Sequence, residues 1–138
     1  MAKMPERPSV RSDLPLPTAA ELDILAVLWR RGAATVRDIH GALGKACGYT
    51  TTQKQMQLMI GKGLLIRTER FGVHVYEAGI PKEETQTQIL SDLLDRAFEG
   101  SASNLVMRAL ATKPASPKEL ARIRDMIESA RKKRGSSE

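Results

Sequence analysis

Cysteine and aromatic side chains are scarce in this sequence. There is one cysteine, Cys47, and aromatic residues make up 4% of the chain. A single cysteine excludes an intrachain disulfide and a cysteine-based metal cluster, and it fits a reducing compartment. Hydrophobic residues still make up 41% of the chain. A core can therefore form, but it must be built mostly from aliphatic side chains and methionine.

Long apolar runs and catalytic motifs are also lacking. No run approaches the roughly 18 apolar residues that span a bilayer, and Lys3, Arg7 and Arg11 are not followed by the apolar segment of a signal peptide. There is no glycine-rich phosphate loop, no Ser/Cys–His motif and no metal-ligand spacing; His40 and His74 are isolated. We expect a cytoplasmic protein that is not an enzyme and has no cofactor, metal or small-molecule substrate.

Charge is distributed unevenly along the 138 residues, which carry a net charge of +6. Residues 1–79 contain 11 Lys and Arg against 7 Asp and Glu, whereas residues 80–130 contain 7 against 8. The last segment, 131–138, contains 4 against 1. A basic front half suits an anionic partner such as nucleic acid, and a nearly neutral back half suits a protein surface.

Acidic residues are absent from one basic and amide-rich stretch, Tyr49–Leu65. Its threonines, Thr50–Thr52, could each cap a helix, and Gly63 is a natural helix terminator. Helical spacing places Thr52, Met56, Met59 and Ile60 on one inner face. The remaining face offers neutral amides and positive charge, which suits a polyanion with readable base edges. We interpret it as a DNA recognition helix; the alternative is a surface helix that lacks acids.

The neighbouring segments follow a winged helix-turn-helix plan. A capping box, Thr18–Glu21, begins a first helix with an apolar stripe of Leu22, Leu25, Ala26, Leu28 and Trp29, and Thr35 with Asp38 begins a second. After the third helix, residues 64–70 and 73–77 read as strands joined by Phe71–Gly72. Such a hairpin is a wing, from which Arg67, Arg70 and His74 could reach phosphate. It could also cap the core, and the two interpretations are compatible.

The expected organisation has four parts. They are a mobile N-terminal arm (1–17), a winged-helix DNA-binding domain (18–79), a helical dimerisation region (80–130) and a basic disordered tail (131–138). Three short amphipathic helices can hardly bury their apolar stripes alone. We therefore expect a homodimer that presents two recognition helices to a two-fold operator. The dimerisation residues are predicted to be Ile89, Leu93, Leu94, Phe98, Leu105, Val106, Leu110, Leu120, Ile123 and Ile127.

The ordered series of these pieces resembles the penicillinase-repressor family of winged-helix regulators. The matching stretches are Thr18–Trp29, Thr35–His40, Tyr49–Thr51, Lys62–Leu65, the Gly72–Tyr76 wing, Phe98–Ser101 and Leu105–Val106. The resemblance implies a mainly α fold with a small β-hairpin: a winged helix-turn-helix followed by a three-helix dimerisation region. It implies a homodimeric transcriptional repressor that binds double-stranded DNA. In one branch of the family, a membrane sensor metalloprotease inactivates the repressor. The residues that map to DNA contact are Thr50, Thr51, Lys54, Lys62, Arg67 and Arg70.

Some positions depart from the family's usual pattern. Gln55 stands where an aliphatic residue is usual, Leu58 stands where an arginine is usual, and Val73 replaces the usual wing arginine. The cleavage region falls near Arg108–Ala109, without the usual asparagine and bulky apolar residue.

We predict a sequence-specific transcriptional repressor whose DNA-binding residues also include Gln53 and Gln57. The alternative is a winged-helix protein-interaction module without a DNA role.

Overall fold

The computed structural model describes residues 16–44 and 48–136, so most of the expected N-terminal arm and Cys47 lie outside the described residues. The described part is mainly helical with one antiparallel hairpin, which confirms the predicted winged helix-turn-helix followed by a helical region. In chain order the elements are α1 (Ala19–Arg31), α2 (Val36–Leu43), α3 (Tyr49–Gly61), β1 (Leu65–Arg70), β2 (Val73–Ala78), α4 (Lys82–Ala97), α5 (Ala102–Thr112) and α6 (Pro117–Ser136).

The chain divides into two compact units after Asp92, within α4. The expected boundaries between the DNA-binding and dimerisation regions stay a prediction. No helix in the described ranges is long and apolar enough to cross a membrane.

Two of the first three helices begin with reciprocal capping boxes. The Thr18 N–H donates to Glu21 Oε1 at 3.0 Å, and the Glu21 N–H donates to Thr18 Oγ1 at 3.2 Å. Thr35 and Asp38 repeat the arrangement at 3.1 Å in both directions. These bonds satisfy N–H groups that a helix start leaves without partners. The hydrogen bonds from Thr35 hold the pKa of Asp38 below its usual value.

The start of α3 differs from the expectation. Its cap residue is Gly48, and no side chain caps it. The prediction that a threonine performs this role is wrong, because Thr50–Thr52 already lie inside the helix. Thr52 is buried.

The chain leaves α3 at Gly63, the predicted helix terminator. Gly63 has φ of +83°, a left-handed conformation that favours glycine. The Leu64 N–H donates to the Met59 carbonyl at 2.9 Å, and the Gly63 N–H donates to the Ile60 carbonyl at 3.0 Å. This is a Schellman motif. It turns the chain out of α3 and into β1 within three residues.

The core of the first unit is aliphatic with methionine, plus one tyrosine. It joins α1, α2, α3, the hairpin and the segment before α4, and its buried side chains are Ile24, Leu25, Val27, Leu28, Ala34, Val36, Ile39, Met56, Met59, Leu64, Leu65, Tyr76 and Ile80. Trp29 is half-buried against this core. Its indole N–H donates to the Ile80 carbonyl at 3.0 Å, which ties α1 to the start of α4.

The apolar stripe of α1 needs a correction. Ile24 and Val27 are buried, whereas Ala26 is exposed and Leu22 is half-buried. The reason is that α1 carries apolar residues on two faces. One face packs into the core, and the other lines an open groove with side chains of α4.

The hairpin closes through a two-residue turn. Arg70 pairs with Val73, which leaves Phe71 and Gly72 as the turn residues, with φ of +53° and +78°. Positive φ at both positions is the pattern of a type I′ turn. A bridge from the loop before α2 also joins the sheet, because Ala34 and Tyr76 exchange both backbone hydrogen bonds.

The second unit contains the end of α4 with α5 and α6. Ser101 caps α5 by accepting the Asn104 N–H at 3.2 Å. No described side chain of α5 or α6 is buried. The sequence places the end of the last helix near residue 130, but α6 continues through Arg131–Arg134 to Ser136. Cations in a last turn are favoured by the helix dipole, so the basic run extends the helix.

Gly79 provides a test of the packing between the hairpin and the end of α3. A Cβ at this position would lie 2.7 Å from the Gly63 carbonyl oxygen and 3.2 Å from the Leu64 carbonyl carbon. Because backbone atoms cannot move aside cheaply, we expect Gly79→Ala to lower the free energy of unfolding by about 1–3 kcal/mol in urea titrations.

Gly41→Ala is the matched control, because this glycine lies in α2 and its Cβ would meet no atom within 4 Å. That substitution should raise stability by up to about 1 kcal/mol. Equal effects of the two substitutions would contradict the close approach at Gly79.

Candidate nucleic-acid interface

Helix α3, the predicted recognition helix, buries the face that its sequence predicts. Thr52, Met56 and Met59 are buried and Ile60 is half-buried. The opposite face is exposed along the whole helix, and it presents Thr50, Thr51, Gln53, Lys54, Gln57 and Leu58. No acidic side chain lies in α3. The structure therefore brings five of the predicted DNA-binding residues together on one surface of hydroxyl, amide and ammonium groups.

The two unusual positions of α3 lie on different faces. Gln55 is half-buried, and its Nε2 lies 3.4 Å from Glu21 Oε2 of α1. Leu58 is 57% exposed and belongs to the outer face. The helix therefore has the facing that its methionines indicate. The inward Gln55 has a polar partner in Glu21, and the outward Leu58 lies next to Gln57 on the exposed face.

That polar partner is a buried carboxylate. Glu21 is 1% exposed. Its Oε1 accepts the Thr18 N–H, while its Oε2 accepts from Gln55 and from Lys62 Nζ, the latter at 2.5 Å. A buried carboxylate is costly unless it is paired and hydrogen-bonded. Here both oxygens are satisfied, so the capping residue of α1 also binds the middle and the C-terminal end of α3.

The pKa of Glu21 reflects this balance. Burial by itself raises the pKa of the carboxyl, but hydrogen bonds and charge from Lys62, with hydrogen bonds from Thr18, outweigh it. The net result is a pKa below the usual value, so the carboxylate stays ionised near neutral pH. The group thus contributes stability above its unfolded-state pKa and loses that contribution as the pH falls through its folded-state pKa.

Lys62 has a partner within the protein. Its side chain is 42% exposed, and its ammonium group pairs with Glu21. An ammonium group has three N–H donors, so the ion pair leaves donors that can face solvent. The predicted contact between Lys62 and DNA stays a prediction.

A groove runs between the start of α2, the first half of α3 and the wing. Its volume is about 410 Å³, and its walls are formed by Thr35, Val36, Arg37, Tyr49, Gln53, Val73, His74 and Tyr76. His40 fixes the entry of α3 beside it through an edge-on ring contact with Tyr49, at a centroid distance of 5.7 Å. The groove places Gln53 of α3 near His74 of the wing.

Arg37 also belongs to the candidate interface, although the sequence did not lead us to predict it. It is exposed in the first turn of α2, and it lines the same groove as Gln53 and His74. Its position two residues after the Thr35 cap was the available signal, because the start of a helix has free N–H groups and a positive dipole end.

The three wing residues that were predicted to contact phosphate do not lie together. Residues opposite each other in an antiparallel pair share a face of the sheet, and Arg67 pairs with Tyr76. Arg67 and His74 therefore lie on the face of Tyr76, whereas Arg70 lies on the other face. Arg70 is also 3.4 Å from the Glu77 carboxylate. The wing strands contain two arginines and two glutamates, so the wing surface is close to neutral.

Metal-binding groups are not part of this surface. Within residues 16–44 and 48–136, no group of three or more His, Cys, Asp or Glu side chains could hold a metal ion. The candidate interface is thus a surface of α3, the start of α2 and the wing.

A family model described as "Penicillinase repressor" matches residues 17–129. No curated protein matches the chain.

The Glu21–Lys62 ion pair gives a test of how α3 is held. In Lys62→Met the buried carboxylate loses its cation, so we expect the free energy of unfolding to fall by about 1–3 kcal/mol in urea titrations at pH 7. Lys54→Met is the matched control. This lysine is exposed on the same helix, so its loss should change stability by no more than about 0.5 kcal/mol.

The pH dependence of Glu21→Gln checks the same interaction. Wild-type stability should fall as the pH drops from about 5 through the lowered pKa of Glu21, and the variant should lack that component. Parallel pH profiles for the two proteins would contradict the assignment.

Proposed function

The chain belongs to the penicillinase repressor family, a family of DNA-binding transcriptional repressors, and on this premise we propose a sequence-specific repressor that binds a two-fold operator as a homodimer. The observation that carries the proposal is the outer face of α3. It has no acid, it is fully presented to solvent, and its inner face is anchored in the core. An α-helix with this surface fits the major groove of B-DNA, which admits one helix.

Each group on this face has a role in the proposal. The amides of Gln53 and Gln57 can pair with the N6 and N7 atoms of adenine, which is a bidentate contact that side chains of this type make. Thr50 and Thr51 in the first turn can donate to phosphate or to base edges. Lys54 supplies the positive charge, which contributes affinity that does not depend on sequence.

Leu58 gives the proposed operator a distinct chemistry. It is an exposed apolar side chain on the reading face, at the position where the family usually has arginine. Arginine recognises guanine by two hydrogen bonds, whereas an apolar side chain contacts the methyl group of thymine. We therefore expect an A·T pair opposite Leu58.

Contacts to phosphate flank the reading face in this proposal. Arg37 lines the groove beside α3 together with His74, and Arg67 lies on the same wing face as His74. Lys62 can offer its remaining N–H donors to phosphate while it holds Glu21. Arg70 lies on the other wing face, where phosphate would have to compete with the Glu77 carboxylate for it. Phosphate contacts of this kind fix register and do not carry sequence information.

Dimerisation is assigned to the back half, for which we keep the boundaries 80–130. Val106, Leu120 and Ile127 are exposed, and Leu105, Leu110 and Ile123 are half-buried. In α4, Leu93 is exposed, while Ile89 and Leu94 are half-buried, as is Phe98 just after the helix. Apolar residues in such number favour burial against a second copy. Two copies related by a two-fold axis would present two α3 helices to two half-sites.

The same proposal includes relief of repression by proteolysis of the dimerisation region. Arg108 and Ala109 are exposed within α5. A membrane sensor metalloprotease, the partner that the family resemblance implies, would have to unwind this turn before cutting. Local unfolding of a helix without buried side chains costs little free energy, so α5 is a feasible target.

A winged-helix protein-interaction module is the alternative function. The near-neutral wing and the exposed Leu58 favour it over an enzyme. The two functions differ in their response to salt, because phosphate contacts weaken steeply with ionic strength and apolar protein contacts do not.

Lys54→Ala tests the DNA-binding role. The double-stranded probe is a two-fold duplex selected from a random pool by the wild-type protein. We expect weaker binding to this duplex and to random duplexes alike, and a slope of log affinity against log salt that is smaller by about one unit. Electrophoretic mobility shifts across a salt series measure both.

Arg122→Ala is the control for that experiment, since this exposed cation lies in α6. It removes the same charge from the back half and should leave the slope unchanged. If the wild-type protein binds the selected duplex no better than random DNA, specific repression is wrong.

The dimer is tested by mass. Light scattering at micromolar concentration should give twice the chain mass of 15.2 kDa. Ile127→Asp should shift the protein towards a single chain, because it would bury a charge in the proposed interface. Met126→Asp is the matched control on another side of α6, where we expect no change. A wild-type mass of one chain would refute the dimer.

A further inference from the structure

Phe71 lies at the tip of the wing with an exposed side chain and an unfavourable backbone conformation. Its side chain is fully exposed, and its φ is +53°. The first central position of a type I′ turn favours asparagine, aspartate or glycine, and a bulky residue with positive φ is an outlier. Left-handed backbone is unfavourable for any residue other than glycine, because the Cβ approaches the following carbonyl oxygen. The tip therefore carries a residue that neither the turn nor the core of the first unit requires.

The surroundings of Phe71 are apolar and close to neutral. Val73 and Ile66 are about half exposed, and strand pairing places both on the wing face of Arg70. The arginines and glutamates of the wing are equal in number, and one pair of them forms a salt bridge. Attraction to phosphate is consequently weak at this point. A contact with DNA here must rely on apolar area.

The wing also stands beside the recognition helix. Val73 and His74, which directly follow the turn, line one groove together with Gln53 of α3. Six-residue strands rise about 20 Å in length, so the hairpin is long enough to pass a phosphate strand. With α3 in the major groove, a hairpin of this length beside it could therefore reach the adjacent minor groove.

We propose that Phe71 is an apolar wedge that enters the minor groove of the operator and partly unstacks a base step there. The proposal rests on the proposed DNA-binding function and adds the residue and the groove. Apolar wedges open base steps at the cost of stacking energy, and the DNA bends so that it contacts more protein. Flexible pyrimidine–purine steps open most easily. Phe71 would thus select sequence through the deformability of the step and not through hydrogen bonds.

Phe71→Asn tests the wedge without harming the hairpin. Asn-Gly is a preferred pair for a type I′ turn, so the variant should unfold at the same or higher urea concentration than the wild type. On the duplex that the wild-type protein selects from a random pool, we expect binding to weaken about tenfold. The salt slope should stay unchanged, because no charge is removed.

A fluorescent base gives a direct signal of insertion. With 2-aminopurine placed in successive steps of the minor groove next to each half-site, the wild-type protein should raise the fluorescence at one step, and Phe71→Asn should not. Phe71→Leu, which keeps an apolar side chain, should retain most of the affinity and of the signal.

The outcomes separate this proposal from the proposed function. If the wild-type protein prefers the two-fold duplex and Phe71→Asn binds it equally well, the wedge is wrong and the repressor stands. If the wild-type protein has no such preference, the repressor fails and the wedge fails with it. If Phe71→Asn changes the mass of the protein in solution but not its affinity for DNA, the tip is a protein contact and the wedge is wrong.

Discussion

The buried carboxylate of Glu21 is the interaction on which the position of the recognition helix depends. One of its oxygens completes the capping box of α1, and the other binds Gln55 of α3 and Lys62, the residue that follows α3. Burial of the methionines turns their face of α3 towards the core, but hydrophobic contacts are not directional, so they leave the finer rotation of the helix unfixed. Two hydrogen bonds to one buried acceptor, from Gln55 within α3 and from Lys62 about two turns later, do fix it. The outer face is presented to solvent because the inner face is held in this way.

The same arrangement shows how Gln55 is accommodated. An amide facing inward would be costly in an aliphatic core, since a buried polar group without a partner destabilises a protein. Glu21 provides the partner, so the helix keeps its facing. The unusual residue that remains at the surface is Leu58. Within the proposed function, the change of specificity therefore belongs to Leu58, and Gln55 has a structural role.

The candidate interface of the first unit has a basic part and an apolar part. Lys54 and Arg37 lie at α3 and at the start of α2, where they can meet phosphate. The wing is near neutral, and its exposed tip is aromatic. In the second unit, apolar side chains are exposed or half-buried on α5 and α6. Each unit thus leaves a surface whose chemistry differs: amides and cations in the first, aliphatic side chains in the second.

Local signals in the sequence determined much of this protein. Capping boxes, the left-handed Gly63, the Phe71–Gly72 turn and the apolar spacing of α3 act over a few residues, and each gave the correct element and the correct inner face. The same local rules failed at the start of α3, where the cap is Gly48 and none of the three candidate threonines, and on α1, whose two apolar faces have the same periodicity.

Only the tertiary structure decided which distant residues meet. Glu21 and Lys62 are 41 residues apart, Ala34 pairs with Tyr76, and Arg37 shares a groove with His74. Strand register likewise separated Arg70 from Arg67. These contacts depend on how helices and hairpin pack around one core, and a residue's own neighbours in sequence carry no signal of that packing. The sequence by itself therefore determined the elements and their faces, while the fold decided the partners of the charged groups.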